Sequence, residues 1–371
     1  MIVIIGTGLA GYTLAREFRK LDPDTPLTLI TADDGRSYSK PMLSNGLAKH
    51  KTADELAMAD ADKMAAQLKA SILTHTRVEQ IDSVNHRLLA NGAVIAYDQL
   101  VIATGATPIR LPLTGDGADD VLHVNNLADY AVFRSRLSGR KRVAIIGAGL
   151  IGCEFANDLA GRGYQAVVMG LGATPLDTLI PAPAGEDLMR GLSEAGVEFR
   201  LGVSAQAVEK HGHGYRVLLD HGEPVEADLV LSAIGLRPDI RLAQSTGIVC
   251  NRGIVTDAYL KTSADDVYAL GDCAEVEGVV RLYVLPIMQG ARALAATLAD
   301  RLTAVSYPVM PVVIKTPACP VVVVPGKGEW SCERGAGGVR CECRETDTLT
   351  GFCLTGDAVN EKQALTKALS G

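Results

Sequence analysis

The hydropathic pattern of a short apolar run, a glycine-rich turn and apolar positions at helical spacing occurs twice in the chain. "IVIIGTGLAG" fills residues 2–11 and "VAIIGAGLIGCE" fills 143–154. Unbroken Val/Ile runs suit strands covered on both faces, as in a parallel sheet. After the first turn Leu14, Phe18 and Leu21 recur at helical spacing and "PLTLIT" (26–31) returns as the next strand, which completes a β-α-β unit. Residues Arg142 to Met169 repeat that plan. A second echo links "YDQLVIATG" (97–105) to "EADLVLSAIG" (226–235), with the terminal glycines 130 residues apart. The pattern predicts an α/β protein with two Rossmann-like three-layer dinucleotide-binding domains.

Thr52 and Glu55 read as a capping box opening a helix to about Ala70. Short strands between 72 and 103 form a meander. The turn-rich "LTGDGADD" (113–120) leads into the second α/β half, which strands between Val197 and Leu231 complete. "TSADDVYALGDCAEV" (262–276) and a helix from about Gly290 to Thr303 read as a return to the first domain. Past Pro308 the pattern turns β-rich, with "PVVIKT", "PVVVV" and the hairpin "VRCECRETDTLTGFCLTG", a small C-terminal α+β domain. The expected segments are 1–107 and 238–306 for the first domain, 108–237 for the second and 307–371 for the tail.

Composition narrows the function classes. A formal charge of -7 disfavours a nucleic-acid or anionic-membrane partner. No run approaches the length of a membrane helix, and Met1 directly before the first strand leaves no room for a leader, so a cytoplasmic location is expected. Eight cysteines without a C-x-x-C read as reduced thiols rather than a disulfide framework. Cys341 and Cys343 alternate along one strand face and, with Cys332 and Cys353, read as core residues rather than a metal set. His211 and His213 flank a glycine at a hairpin tip, and no metal is expected there either. Arg36, Lys40, Lys49 and Lys51 form a local basic region, either a solvated run or a guide for a small acidic partner.

The first motif, Gly6, Gly8, Leu9, Ala10 and Gly11, follows a strand and opens a helix. Its first glycine permits the turn, its second lets backbone N–H groups touch a pyrophosphate, and the helix N-terminus faces the phosphates. Asp33, 22 residues beyond Gly11, with Asp34 beside it, would accept hydrogen bonds from an adenosine ribose. The second motif, Gly147, Gly149, Leu150, Ile151 and Gly152, has the same context with one departure, because Gly170 stands where an acid would hold the ribose hydroxyls. No arginine nearby offers a 2′-phosphate partner, so NADH is expected more weakly than a nicotinamide nucleotide as such. Gly271-Asp272 places a carboxylate where a ribityl chain could donate to it. Its position in the returning segment assigns FAD to the first motif and the exchanging nucleotide to the second.

The order of the first glycine motif, Ala103-Thr104-Gly105, the second motif with Gly235, and "TSADDVYALGD" resembles the two-dinucleotide FAD-dependent pyridine nucleotide oxidoreductases over nearly all of the chain. Many of those proteins relay electrons through cysteines against the flavin, but here the corresponding stretch reads "YSKPMLSNG" and the second domain holds only Cys153. Without a relay, flavin must pass electrons directly to its acceptor, and it can release singly what it receives as a hydride. "ITADDGRSYSKPMLS", "RGIV", "YALGDCAEV", "LYVLP", "KTPACP" and "AVNEK" are similar to the bacterial NADH:rubredoxin reductases. That resemblance implies tightly bound FAD, exchanging NADH and rubredoxin as one-electron acceptor, in alkane hydroxylation or oxygen detoxification. It places Lys40 and Pro41 beside the flavin ring, with Glu154 paired to Lys40 as the catalytic pair, and Val78 at the adenine end. It also places Val284 and Lys315 on the side where rubredoxin docks. From the residues alone, Lys40 and Lys315 could equally be solvated lysines and Glu154 a first-turn acid favouring the helix dipole. Three other readings fit the same motifs: a ferredoxin reductase, an NADH oxidase and a non-enzymatic flavin redox sensor.

Overall fold

A computed structural model of the chain describes residues 1–370. It separates into two compact units, each assembled from three chain segments. The first comprises Met1–Lys40, Ala57–Thr107 and Leu236–Tyr307, and the second Pro41–Leu56, Pro108–Gly235 and Pro308–Gly371.

The first unit is built on a five-stranded parallel sheet in the order Val267–Ala269, Gln99–Ile102, Ile2–Ile5, Leu27–Ile30, Ser71–Leu73. Its central strand Ile2–Ile5 is buried throughout, as its unbroken apolar run requires. The helices Leu9–Leu21 and Val284–Leu298 pack against each other, and Leu14, Phe18, Ala291 and Leu294 join one core with the sheet. The returning segment is thus part of the first unit: Val267 pairs with Leu100 and Ala269 with Ile102. An antiparallel meander of Val78–Asp82, Arg87–Ala90 and Ala93–Ala96 completes the unit's middle segment.

Two expected helices differ from the prediction. The Thr52 capping box forms, with the Thr52 N–H donating to Glu55 Oε2 at 2.7 Å and the Glu55 N–H to Thr52 Oγ1 at 3.3 Å. Its helix nevertheless ends at Leu56, because Ala57–Ala59 pairs as a strand with Ser37–Tyr38. A second helix, Ala61–Leu68, then starts from an Asp60 cap. The helix expected from Gly290 begins earlier, at Val284, since Pro286 falls in its first turn where a missing N–H costs nothing. It stops at Leu298, and Asp300 adopts a left-handed φ of 60°.

The second unit carries a four-stranded parallel sheet in the order Glu198–Leu201, Gln165–Gly170, Arg142–Ile146, Leu229–Ser232. A three-stranded antiparallel sheet covers it, with Val208, Val217 and Val225 in the shared core. Its hairpin turns at Gly212 and His213. The tail folds as a five-stranded antiparallel sheet, Val312–Ile314, Val321–Val324, Thr348–Thr355, Gly338–Glu345 and Glu329–Gly335 in spatial order. The helix Lys362–Leu369 packs Leu365 onto Phe352 and Leu354 of this sheet. Buried Asp187 of the helix Ala182–Glu194 ties the tail to the rest of this unit. It accepts from Thr355 Oγ1 at 2.6 Å and Arg334 Nη1 at 2.7 Å.

The expectation of uniformly reduced thiols is corrected here. Antiparallel register sets Cys332 directly opposite Cys341, with Cα atoms 4.0 Å apart, and their sulfurs are bonded as a disulfide. A scan for C-x-x-C misses such a pair, because its partners are joined by strand pairing across a separation of 9 residues. Cys343 and Cys353 are free and fully buried.

Candidate functional site

In the first unit the glycine turn packs so closely that side chains are excluded. A Cβ on Gly6 would overlap the Ala103 carbonyl, and one on Gly11 would overlap the Gly6 carbonyl. Nothing lies within 4 Å of a Cβ position on Gly8, the residue that caps the helix Leu9–Leu21. Backbone is therefore bare where a pyrophosphate would meet the helix N-terminus. Thr104 and Gly105 follow the neighbouring strand Gln99–Ile102. Asp33 lies just past the strand Leu27–Ile30, exposed, and its Oδ1 accepts from Thr31 Oγ1 at 2.6 Å and the Gly35 N–H at 3.0 Å. Asp34 is turned outward and held by Arg36 Nε at 2.7 Å.

Gly271 adopts φ 85°, and a Cβ on it would stand 2.7 Å from the Ala10 Cβ. This close approach sets Asp272 beside the first glycine helix, 261 residues from Gly11 along the chain. Burial pushes its carboxyl up from the usual range, and the Lys40 charge pulls the other way. Asp272 hydrogen-bonds to no described residue. A half-buried carboxylate without a donor is what a polyol chain would satisfy, so the residues present fit FAD. Val78 opens the meander strand Val78–Asp82, and Val284 is the first residue of the helix Val284–Leu298.

The second unit repeats the cradle. A Cβ on Gly147 would be 2.6 Å from the Ala233 carbonyl oxygen, one on Gly152 would overlap the Gly147 carbonyl, and Gly149 again has open space. Leu150 and Ile151 begin the helix Leu150–Ala160. Gly235 ends the adjacent crossing with φ 113°.

That helix also buries two carboxylates, Glu154 and Asp158. Glu154 is only 2% exposed and is fully partnered: Lys315 Nζ donates to Oε2 at 2.7 Å, the Lys315 N–H to Oε1 at 2.9 Å and Ser44 Oγ to Oε2 at 2.5 Å. Lys315 Nζ further donates to the Pro41 carbonyl at 2.5 Å and to Ser44 Oγ at 3.1 Å. Lys315, Glu154, Ser44 and Pro41 thus form one cluster, with Lys315 as the cation that neutralises Glu154. Lys40 ends the first segment of the first unit, and its charge acts on Asp272.

Sequence reasoning missed Ser44, in the turn Lys40–Asn45, and Asn157 and Asp158 on the helix Leu150–Ala160. Asp158, one turn beyond Glu154 and 3% exposed, accepts from the Leu47 N–H at 3.0 Å and the Ala48 N–H at 2.7 Å. Burial pushes its carboxyl up to about 6, against the pull of those two N–H groups and of the Lys315 and Arg134 charges. Asn157 Oδ1 accepts from the Ala318 N–H at 3.0 Å. The signal was a Glu and an Asp four residues apart on a helix too apolar to be a surface one. Cys153 is fully buried and its thiol is pushed up to about 12 by burial, so it is inert as a nucleophile.

Comparison with known proteins agrees with this geometry. Residues 1–293 match the model for pyridine nucleotide-disulphide oxidoreductase, and residues 304–369 match the model for the rubredoxin binding C-terminal domain. The chain is 51% identical to the rubredoxin-NAD(+) reductase of Alcanivorax borkumensis, with 99% of this chain and 98% of that protein covered. It is 48% identical to the rubredoxin-NAD(+) reductase of Acinetobacter baylyi, covering 98% and 96%. Among solved structures, the ferredoxin reductase for the CYP199A2 system of Rhodopseudomonas palustris superposes with a TM-score of 0.90 at 25% identity, over 100% of this chain and 95% of that one. With its double glycine cradle, its donor-free Asp272 and a family model spanning most of its length, the chain belongs to the pyridine nucleotide-disulphide oxidoreductase family.

Proposed function

We propose that this chain is an FAD-dependent reductase that takes a hydride from NADH and delivers single electrons to rubredoxin. The observation that carries the reading is the tail. A segment matching the rubredoxin binding C-terminal domain directly follows the dinucleotide-binding region, in a chain whose near relatives are named rubredoxin-NAD(+) reductases. In this reading residues 1–107 and 238–306 hold FAD, 108–237 hold NADH and 307–371 receive rubredoxin. Bound FAD supplies the conversion between a hydride and single electrons.

The protein's own residues bind and orient. Gly6, Gly8, Leu9, Ala10 and Gly11 offer backbone to the FAD pyrophosphate, Asp33 faces the adenosine ribose with Asp34 beside it in the same loop, Val78 faces the adenine, and Thr104, Gly105 and Asp272 the ribityl end. Lys40, Pro41 and Val284 flank the ring. Gly147, Gly149, Leu150, Ile151, Gly152 and Gly235 form the NADH cradle. Glu154 and Lys315, locked to each other and to Ser44, hold the Pro41–Ser44 stretch in one conformation. No general acid is needed, because the chemistry is positioning of two redox partners. No helix among the described residues is long and apolar enough to cross a membrane. In this reading the reductase works in the cytoplasm and feeds alkane hydroxylation or oxygen detoxification.

Stopped-flow mixing tests this. NADH should bleach the flavin, and rubredoxin should restore it far faster than ferredoxin or air. Equal or faster reoxidation by ferredoxin or by oxygen would transfer the assignment to a ferredoxin reductase or an oxidase. Slow bleaching with a persistent charge-transfer band would favour a redox sensor.

A further inference from the structure

Nicotinamide-binding cradles of this kind usually carry an acid at the end of the second strand, where it accepts hydrogen bonds from the adenosine ribose. Here that strand, Gln165–Gly170, ends in glycine. The structure shows why: a Cβ on Gly170 would stand 2.6 Å from the Ala148 Cβ and 3.3 Å from the Ala148 nitrogen, inside the second glycine turn. A carboxylate cannot be attached at 170 without displacing the turn that receives the pyrophosphate.

The segment after the strand folds back onto the same turn. Leu176 is buried at 3% exposure, adopts a left-handed φ of 60° and donates its N–H to the Ala148 carbonyl at 2.9 Å. That conformation is uncommon for a leucine and persists only where the surroundings impose it. The N–H groups of Leu179 and Ile180 both return to the Leu176 carbonyl, at 2.7 and 3.0 Å, closing a tight turn around Asp177. The Asp177 carboxylate consequently lies over Gly172. A Cβ on Gly172 would overlap its Cγ and stand 2.8 Å from its Oδ1, so the carboxylate occupies the place of a side chain two residues past the strand end. Asp177 is exposed, and it hydrogen-bonds and ion-pairs with no described residue. From Leu171 to Ile180 the chain has no Lys or Arg.

From this geometry we infer that Asp177 supplies the ribose-binding acid that Gly170 cannot, accepting from the adenosine 2′-hydroxyl of NADH and repelling the 2′-phosphate of NADPH. The inference rests on the reading of the second unit as the nicotinamide-nucleotide site and settles which nucleotide that site prefers. Asp177 is reached by folding seven residues of chain back over the strand end. The preference is therefore invisible to any motif that looks for the acid at the strand terminus.

The test is stopped-flow reduction of the FAD-loaded protein by NADH, NADPH and 2′-deoxy-NADH, in the wild type and in Asp177→Ala and Asp177→Asn. A charge-assisted hydrogen bond at an exposed site corresponds to about a tenfold preference for NADH over its 2′-deoxy analogue in the wild type. Asp177→Ala should bring that ratio close to one by raising the half-saturating NADH concentration rather than by slowing the saturated rate. Half-saturation by NADPH should fall in both variants, because the repelling charge is gone. An unchanged NADH to 2′-deoxy-NADH ratio in Asp177→Ala, or unchanged NADPH half-saturation in both variants, overturns the assignment. If no nucleotide bleaches the wild-type flavin, the reductase reading itself fails and this assignment with it. That pattern differs from normal bleaching with unaltered selectivity.

Discussion

Replacing Lys315 with methionine should strand a buried charge. Glu154 has a side chain only 3% exposed, and its Oε2 faces Lys315 Nζ at 2.7 Å. Removing one partner of a fully buried pair costs about 3–5 kcal/mol, because the remaining charge is left without compensation. Two features lower that figure here. The Lys315 side chain is 31% exposed, so water reaches the vacated position, and Glu154 keeps the residue 315 N–H and the Ser44 hydroxyl. We therefore expect about 2 kcal/mol for Lys315→Met, after discounting for solvent screening. In the double variant Glu154→Gln/Lys315→Met no charge is stranded, so its loss should fall short of the sum of the two single losses by about 1–2 kcal/mol. Trp330, the one tryptophan of the sequence, lies in the tail strand Glu329–Gly335 of the same unit. Its emission during urea unfolding reads this unit directly. Additivity of the two substitutions within about 0.5 kcal/mol would refute the coupling.

Three further outcomes follow from the same geometry. Asp272→Ala removes the donor-free carboxylate and should weaken FAD retention by roughly tenfold or more; flavin absorbance after extended dialysis reads this, and a wild-type flavin content would reject the ribityl role. The carboxyl of Asp158 is pushed up to about 6 by burial, so it binds a proton more tightly folded than unfolded and its contribution to stability is lost as pH rises from about 4 through 6. Asp158→Asn does not titrate, so the stability of the wild type relative to this variant should be greater at pH 5 than at pH 7.5 by about 1 kcal/mol or more, and a difference independent of pH would contradict the buried titration. Protein denatured without reductant should show six reactive thiols, since Cys332 and Cys341 are bonded, and eight would disprove the bridge.

The glycine cradles, the discontinuous first sheet and the returning Gly271-Asp272 pair were legible in the sequence, because each rests on local rules. An apolar run followed by a glycine turn and a helix has few other folds, and the echo between residues 97–105 and 226–235 marks the repeat without any knowledge of contacts. The capping box at Thr52 was equally readable, but the helix length was not. Whether Ala57 continues a helix or pairs with Tyr38 depends on a strand 19 residues earlier.

Sequence alone determined the kind of ligand, two dinucleotides of which one is a flavin. Tertiary structure alone decided the partners: Lys315 to Glu154 across 161 residues, Asp158 to the backbone of Leu47 and Ala48 across 111 and 110, and Asp177 to the space above Gly172. The reason is range. Backbone turns are set by the sterics of adjacent residues, whereas a buried charge takes whichever donor the packing of distant segments brings within about 3 Å.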